Sequence, residues 1–251
     1  MSDKFATFAK LHVPGDPLIL FNAWDAGSAA AIEQAGAKAI ATGSWSVAAA
    51  HGFQDAETLP LDLALGNAGR IVAATALPVS IDFEGGYAGD AGGTAANVAA
   101  LAATGAIGCN IEDQIIGVAP RSLHPLAGQA ARIRAARETV GAGFFINART
   151  DIFLIAAADT HDAAMADAAI ERAHAYADAG ASGFFVPGLV NPALLERVCT
   201  ASRLPVNFMA FPGAPSADVV AATGVARISH GPGPYRLAMK ALKEAAIAAF
   251  V

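Results

Sequence analysis

The chain alternates short strand-like segments with longer helical ones, and this alternation is the feature that most limits its fold. Eight segments rich in β-branched and aromatic residues are each followed by a segment with helical periodicity. The predicted strands are Leu18–Phe21, Ala39–Thr42, Val79–Asp82, Gly108–Glu112, Phe144–Asn147, Gly183–Val186, Val206–Met209 and Ala226–Ser229. The predicted helices span 26–35, 61–75, 94–104, 127–139, 161–179, 192–201, 216–222 and 234–249, after a leading helix over 2–12. Eight such units predict an α/β fold with a parallel sheet.

Glycine and proline mark the borders of these units in alternation. Four glycines end the helices that precede even-numbered strands, where a left-handed residue stops a helix: Gly36, Gly105, Gly180 and Gly224. Three prolines open odd-numbered strands: Pro17, Pro78 and Pro205. A pattern that repeats every two units is typical of a closed barrel, and no G-x-G-x-x-G follows the first strand as in dinucleotide-binding sheets. The sequence therefore predicts a TIM-type (β/α)8 barrel that forms one domain over residues 1–251.

Composition and charge exclude several classes of protein. The net charge is −6 and the basic residues are scattered, which argues against a nucleic-acid partner. No run of about 18 apolar residues is present, so no membrane span is expected, and the first ten residues do not resemble a signal peptide. The only cysteines, Cys109 and Cys199, match no zinc or redox motif, and we expect a reducing cytoplasmic setting.

Two carboxylates end the third predicted strand, in the stretch P-V-S-I-D-F-E-G-G-Y from Pro78 to Tyr87. Residues two apart in a strand point the same way, so Asp82 and Glu84 are expected on one face. Like charges this close repel each other unless a cation lies between them, and the pattern is typical of a site for a hard ion such as Mg²⁺. The alternative is a strand end with two hydrated acids.

Polar residues also follow the carboxyl ends of nearly all the remaining strands. Barrel enzymes build their active sites at this end of the strands. These positions include Asn22, Ser44, Glu112, Arg149, Asn207 and Ser229. None of the five lysines lies inside or at the carboxyl end of a predicted strand, so a Schiff-base mechanism is not expected. Ser44 has no histidine nearby in sequence that could serve as its base, which disfavours a serine hydrolase.

In this order and on these strand ends, the motifs resemble those of the isocitrate lyase and phosphoenolpyruvate mutase superfamily. They are F-N-A-W-D-A-G-S-A at 21–29, T-G-S-W-S at 42–46, H-G-F-Q-D at 51–55, D-F-E-G-G-Y at 82–87, N-I-E-D-Q at 110–114, N-A-R-T-D at 147–151 and N-F-M-A-F at 207–211. The resemblance implies an α/β barrel whose last helix is exchanged with a neighbouring subunit, usually in a homotetramer. It also implies Mg²⁺ and a small carboxylic acid substrate that is a 2-oxo acid or forms an enolpyruvate.

The same resemblance assigns roles to individual residues. Asp82 matches the acid closest to the metal, and three others match acids that hold its water shell: Glu84, Glu112 and Asp55. Gly43, Ser44 and Trp45 match a turn whose backbone amides bind a substrate carboxylate, and Asn207 matches an asparagine near the same group. Arg149 matches the arginine that pairs with the substrate anion, although from the residues alone it could instead form a structural ion pair with Asp151 or Glu112.

The loop Ile115–Leu126 departs from the family pattern. Isocitrate and methylisocitrate lyases carry a cysteine here, and mutases and hydrolases carry a lysine with an asparagine or threonine, but this loop reads I-I-G-V-A-P-R-S-L-H-P-L. His124 is the one loop side chain whose unperturbed pKa lies near neutrality, so it is the candidate acid, with Arg121 as an anion clamp. We expect a Mg²⁺-dependent carbon–carbon lyase or decarboxylase that works through an enolate on a 2-oxo or 2-hydroxy acid. The alternatives are P–C bond chemistry, as mutase or hydrolase, and a 2-oxo acid binding protein with weak turnover.

Overall fold

A computed structural model of the chain describes residues 3–250, in which eight strands alternate with ten α-helices. The strands are β1 (Leu18–Leu20), β2 (Ile40–Ala41), β3 (Val79–Asp82), β4 (Gly108–Glu112), β5 (Phe145–Arg149), β6 (Gly183–Phe185), β7 (Val206–Met209) and β8 (Arg227–Ser229). The helices are α1 (Asp3–Lys10), α2 (Ala26–Gln34), α3 (Ser44–Ala50), α4 (Leu61–Ala73), α5 (Ala91–Ala103), α6 (Leu126–Val140), α7 (Ala163–Asp178), α8 (Pro192–Ala201), α9 (Ala217–Ala222) and α10 (Gly233–Ala249).

All eight strands form one parallel sheet that curls into a barrel. The order is β1-β8-β7-β6-β5-β4-β3-β2, so every strand from β2 to β8 lies beside its sequence neighbours and β1 pairs with β8. The remaining gap, between β1 and β2, is bridged by Ala23, whose N–H donates to the Ala41 carbonyl at 2.8 Å and which forms a parallel bridge with Thr42. The predicted TIM-type (β/α)8 fold is confirmed.

The apolar core lies between the outer face of the sheet and the surrounding helices. Strand residues such as Ile111, Ile146 and Phe184 are fully buried there, and alanine-rich helix faces such as that of α7 pack closely against them. A second cluster closes the amino-terminal end of the barrel: Phe8 of α1 is completely buried and contacts the Phe145 ring, with 5.2 Å between the ring centroids. The predicted leading helix therefore forms over Asp3–Lys10, while residue 2 lies outside the described part of the chain.

Several predicted boundaries were wrong. The region around Ser44 and Trp45 is the first turn of helix α3, not an isolated turn, because Gly43 caps this helix at its start. Strand β5 extends two residues further than expected, so Arg149 belongs to the strand. Helix α7 begins at Ala163 rather than 161, because Asp162 caps it by accepting a hydrogen bond from the Met165 N–H. These differences arise from caps and strand pairings that depend on the tertiary structure.

The predicted glycine stops are confirmed. Gly36, Gly105, Gly180 and Gly224 all have φ near +90°, the left-handed region that favours glycine. No helix among residues 3–250 is long and apolar enough to cross a membrane. Cys109 and Cys199 are both free thiols.

Close packing of neighbouring strands predicts that Gly108→Ala destabilises the barrel. A Cβ atom at Gly108 would lie 2.6 Å from the Phe145 carbonyl oxygen and 2.8 Å from the Phe145 Cβ, which is too close for either atom. We expect a loss of about 2 kcal/mol in the free energy of unfolding, measured by urea denaturation.

Gly69→Ala is the matched control. Gly69 lies in helix α4 and has no atom within 4 Å of an added Cβ. Alanine is the better helix former, so this variant should gain about 1 kcal/mol. Equal effects of the two changes would show that the strand contact does not limit the residue at position 108.

Candidate active site

Asp82 lies at the carboxyl end of β3 and is held there by three neighbouring elements. Its Oδ2 accepts a hydrogen bond from the Ser44 N–H at 3.0 Å, and its Oδ1 accepts one from Asn110 Nδ2 at 3.2 Å. Its own N–H donates to Thr42 Oγ1 at 2.9 Å. The carboxylate is therefore oriented by the first turn of α3 and by β4, and it remains partly exposed.

Glu84 is brought near Asp82 by a turn and not by strand alternation, so the predicted geometry was wrong. Strand β3 ends at Asp82, and Glu84 has φ +49°, in the left-handed region that residues with a side chain rarely adopt. Glu57 lies in a second left-handed turn, at φ +56°. Its N–H donates to Glu84 Oε2 at 2.6 Å, and its Oε1 accepts from the Tyr87 N–H at 2.7 Å. The two strained turns thus hold each other through their carboxylates.

The carboxylates around Asp82 have raised pKa values because they are desolvated and repel one another. Burial, with Asp55 and Asp82 nearby, raises the pKa of Glu84 to about 7, even though the Glu57 N–H opposes the shift. Partial burial and then Asp82 raise the pKa of Asp55. Burial also raises the pKa of Glu112 well above its usual value, although Arg149 opposes this. A cation bound among these carboxylates would therefore offset their repulsion.

The donor set fits Mg²⁺ in its usual coordination by proteins. Carboxylate oxygens are the hard ligands that Mg²⁺ prefers, and the ion is commonly held by one or two carboxylates while keeping several waters. Within residues 3–250, no three His, Cys, Asp or Glu side chains are grouped closely enough to ligate one ion together. The arrangement matches an ion held directly by few side chains, with Asp82 in the centre and Asp55 and Glu84 beside it.

Arg149 forms both of the ion pairs considered for it from sequence. Its Nη1 is 2.9 Å from Glu112 Oε2, and its Nε and Nη2 donate to the two oxygens of Asp151 at 2.5 and 2.9 Å. A guanidinium has five N–H groups, so two remain for a ligand. The side chain is 15% exposed and lines the central cavity. The ion pairs fix its position, and the remaining N–H groups can bind an anion.

A cavity of about 170 Å³ opens at this end of the barrel. It is smaller than the roughly 300–1,000 Å³ of pockets for drug-sized ligands, and so it suits a small acid. Its polar wall includes Asp55, Asp82, Arg149 and the predicted Gly43, Ser44 and Trp45, together with Asn22, Asn110 and Ser229. Its apolar wall consists of Leu154, Phe185, Met209 and Pro232.

The loop residues lie elsewhere. His124 lines a separate cavity with Glu57, Tyr87 and Arg132, and Arg121 is exposed. Burial, and then the charge of Arg132, lower the pKa of His124. Its peptide group is fixed: the His124 N–H donates to the Asp113 carbonyl at 2.7 Å. Neither loop side chain contributes to the wall of the central cavity.

Two asparagines differ from the expectations drawn from sequence. Asn207 is 1% exposed inside the barrel, where its Oδ1 accepts from Ser229 Oγ at 3.2 Å, and it does not line the cavity. Asn110, which the sequence reading did not select, lines the cavity and binds Asp82. The available signal was a single amide inside the apolar run I-G-C-N-I.

Fold and site together define a TIM-barrel protein with a group of carboxylates at one end of the barrel and one arginine facing a small cavity. The sequence profile of the phosphoenolpyruvate phosphomutase family matches residues 8–250, and the chain belongs to this family. Proteins similar to this chain include a lyase and a mutase. The resemblance inferred from the motifs is therefore confirmed.

Two relatives of this chain are named for different reactions. The 2-methylisocitrate lyase of Escherichia coli K12 is 30% identical over 213 residues, covering 78% of this chain and 69% of the lyase. An oxaloacetate decarboxylase of Rhodopseudomonas palustris BisB5 is 32% identical over 187 residues, covering 70% of this chain and 60% of that protein.

Two solved structures share the fold. A candidate phosphonomutase from Burkholderia cenocepacia J2315 is 49% identical, with a TM-score of 0.94 and 98% of each chain covered. A phosphonopyruvate hydrolase in complex with oxalate and Mg²⁺ has a TM-score of 0.84 at 21% identity, covering 97% of this chain and 85% of the hydrolase. At that identity the likeness concerns the fold alone.

The raised pKa of Glu84 predicts how the metal-free protein responds to pH. The pKa in the folded state, about 7, lies above the ordinary value of 4.5, so the folded state holds this proton more tightly. The protonation of Glu84 therefore stabilises the folded state. This stabilisation is complete below the unfolded pKa and is lost as pH rises through 7. Between about pH 5 and about pH 8, wild type should lose up to about 3 kcal/mol relative to Glu84→Gln, which cannot titrate.

Urea unfolding in EDTA of both proteins across this range measures the difference. The comparison cancels titrating groups that Glu84 does not influence, such as His12, whose pKa burial lowers to about 3. Glutamine keeps one acceptor for the Glu57 N–H or the Tyr87 hydroxyl, so its remaining cost is independent of pH. Parallel stability curves for the two proteins would show that Glu84 does not titrate in this range.

Proposed function

We propose that this protein is a Mg²⁺-dependent enzyme that breaks a carbon–carbon bond next to the functional group of a small 2-oxo or 2-hydroxy acid. Loss of CO₂ from a 2-oxo dicarboxylic acid is the variant that the cavity favours. The observation that carries this proposal is the inventory of the cavity wall: among the described residues, Arg149 is its one cation, and no His, Cys, Lys or Tyr side chain lines it.

The residues of the chain divide the work between two sides of the cavity. Asp82 would hold Mg²⁺, which when bound would supply a positive charge near the substrate carbonyl. The two remaining N–H groups of Arg149 bind the carboxylate next to that carbonyl. In the first turn of α3 the Trp45 N–H offers a further donor, because the Ser44 and Ser46 N–H groups already donate to Asp82 and to the Gly43 carbonyl. Leu154, Phe185 and Met209 form an apolar part of the same wall, and the Phe185 ring lies beside Arg149, with 5.8 Å from the ring centre to the guanidinium carbon.

That apolar wall favours decarboxylation. A second carboxylate placed there is poorly solvated, and it loses its charge when it leaves as CO₂. The electrons of the breaking bond pass to the carbonyl end, where the cationic side of the site receives them. The carbon then takes a proton from water, so the reaction needs no acidic side chain in the cavity.

The alternatives fit the wall less well. A lyase that releases a second organic acid must protonate the departing carbon, and no cysteine, tyrosine or histidine lines the cavity to do this. Phosphonate transfer or hydrolysis would place a dianion beside one arginine that already pairs with Glu112 and Asp151. A binding protein with weak turnover would show affinity for oxalate without product release.

An assay of pyruvate release with oxaloacetate, 2-methylisocitrate and phosphonopyruvate tests the proposal. Each substrate is incubated with enzyme and Mg²⁺, with enzyme and EDTA, and with Mg²⁺ alone to subtract spontaneous breakdown. With oxaloacetate, pyruvate release by enzyme and Mg²⁺ should exceed the release in both controls. Release from phosphonopyruvate alone would support P–C chemistry, and release from none of them would contradict the proposal.

Two variants separate the metal site from the loop. Asp82→Ala should abolish Mg²⁺ binding in calorimetry and lower kcat by roughly 10²-fold or more, while the fold remains because one repelling charge is gone. His124→Asn should keep most activity, because its ring lies outside the central cavity. Normal Mg²⁺ binding by Asp82→Ala would place the metal elsewhere, and a collapse of turnover in His124→Asn would restore the loop histidine as the acid.

We also propose that the protein is a homo-oligomer, a tetramer by resemblance, in which helix α10 is exchanged between subunits. Almost every residue from 236 to 250 is exposed, including Leu237 at 63%, Leu242 at 62% and Phe250 at 88%. A lone helix of this length is marginally stable in water. The outer face of β1, which the last helix of a barrel would ordinarily cover, exposes Ile19 and Phe21 in an apolar groove. The apolar residues of α10 from a second copy match this groove in chemistry.

Replacing Leu242 with Glu should therefore lower the mass seen by light scattering at micromolar concentration to that of a monomer, because a charge would enter the buried face. Lys240→Glu is the control, since Lys240 lies on the polar side of α10, 3.8 Å from Glu244. The control should keep the wild-type mass. A monomeric wild type would contradict the proposal.

A further inference from the structure

Arg227 is a buried cation in the interior of the barrel that the proposed reaction does not use. It is 1% exposed and forms no ion pair within the part of the chain that the structure describes. Its Nε donates to Ser229 Oγ at 3.3 Å, and its Nη1 has no hydrogen-bond partner. A guanidinium without a carboxylate partner in such a place costs free energy, and an apolar side chain would fill the space at lower cost. Its presence requires a reason other than packing.

The guanidinium reaches across the barrel to the network that holds Asp82. It extends from β8 towards the opposite strand β4, where its Nη2 is 3.4 Å from Asn110 Oδ1. Asn147 Nδ2 donates to the same oxygen at 2.8 Å. The other end of the Asn110 amide donates to Asp82. A continuous path of polar contacts therefore connects Arg227 with the proposed metal ligand.

The chemistry of the two ends fixes the direction of this path. An arginine can only donate hydrogen bonds, whereas an ionised carboxylate can only accept them. Between such partners an asparagine amide has one satisfactory orientation, with its oxygen towards the arginine and its NH₂ towards the carboxylate. Asn147 is itself an amide that can turn either way, so it cannot set this direction alone.

We infer that Arg227 is a positioning residue for Asp82, acting through the orientation of Asn110. The inference rests on the proposed function, since it takes Asp82 as the residue that holds Mg²⁺. Residues that orient metal ligands through hydrogen bonds typically lower metal affinity by 10- to 100-fold when they are replaced. Arg227 is the donor at the start of such a path.

The sign of the effect separates positioning from simple electrostatics. A positive charge beneath a metal site repels the metal, so its removal would by itself tighten Mg²⁺ binding. Loss of positioning has the opposite effect, because Asn110 could turn and remove the hydrogen bond to Asp82 Oδ1, leaving only the Ser44 N–H on the other oxygen. A general structural role would lower thermal stability and leave the affinity of the folded protein unchanged.

Calorimetric titration of Mg²⁺ into the metal-free full-length protein tests the inference. Arg227→Gln should bind Mg²⁺ about 10-fold more weakly than wild type. Arg227→Lys should also bind more weakly, because it keeps the charge but lacks the planar fork that spans the barrel. Arg134→Gln, which removes an exposed arginine of helix α6, is the control and should match wild type.

A double-mutant comparison tests the route through Asn110. Asn110→Ser should weaken Mg²⁺ binding by itself, and adding Arg227→Lys to it should cause no further loss, since the shared path is already broken. Additive losses would overturn the inference, as would wild-type or tighter affinity in Arg227→Lys. That variant keeps the buried charge, so it also decides the case if Arg227→Gln does not fold. Absence of Mg²⁺ binding in wild type would overturn the proposed function together with the inference, a result distinct from unchanged affinity in the variants.

Discussion

Repulsion among carboxylates at one end of the barrel is the constraint on which the site depends. Parallel strands bring their carboxyl ends to a single rim, so Asp82 and Glu112 meet there, and the turns that follow bring in Asp55 and Glu84. Burial raises the pKa of Glu84 and Glu112 because each carboxylate loses water and gains negative neighbours. Such an arrangement persists only where hydrogen bonds and cations offset it, and most polar contacts of the site do this.

Two arginines offset this charge in different ways. Arg149 lies at the rim and pairs directly with Glu112 and Asp151, so its cost of burial is met by ion pairs. Arg227 lies in the barrel interior and contacts only neutral groups, with Asp82 as the charge that raises its pKa against the effect of burial. Arg149 faces the cavity, and Arg227 lies beneath it. The difference follows from strand position, since β5 ends at the rim while Arg227 opens β8.

The start of the last helix packs beside the cavity. The first turn of α10 packs on α3: the Arg236 guanidinium lies 4.6 Å from the centre of the Trp45 ring, and the Tyr235 ring contacts both Trp45 and Trp24. Pro232, just before this helix, forms part of the cavity wall. A partner that holds the exposed remainder of α10 would therefore also steady one side of the cavity.

Sequence alone determined the eight-unit barrel, because strand and helix periodicities and glycine stops are local properties that each segment carries by itself. It also selected Asp82, Glu84, Ser44 and Arg149 as residues of one rim, since parallel strands end together, and the family resemblance added Asp55. The tertiary structure decided which of them share a cavity. It moved Asn207 into the interior and His124 into a neighbouring cavity, and it made Asn110 and Arg227 part of the support for Asp82. Those outcomes depend on side chains that meet across the barrel from β3, β4 and β8, and no local pattern encodes such distances.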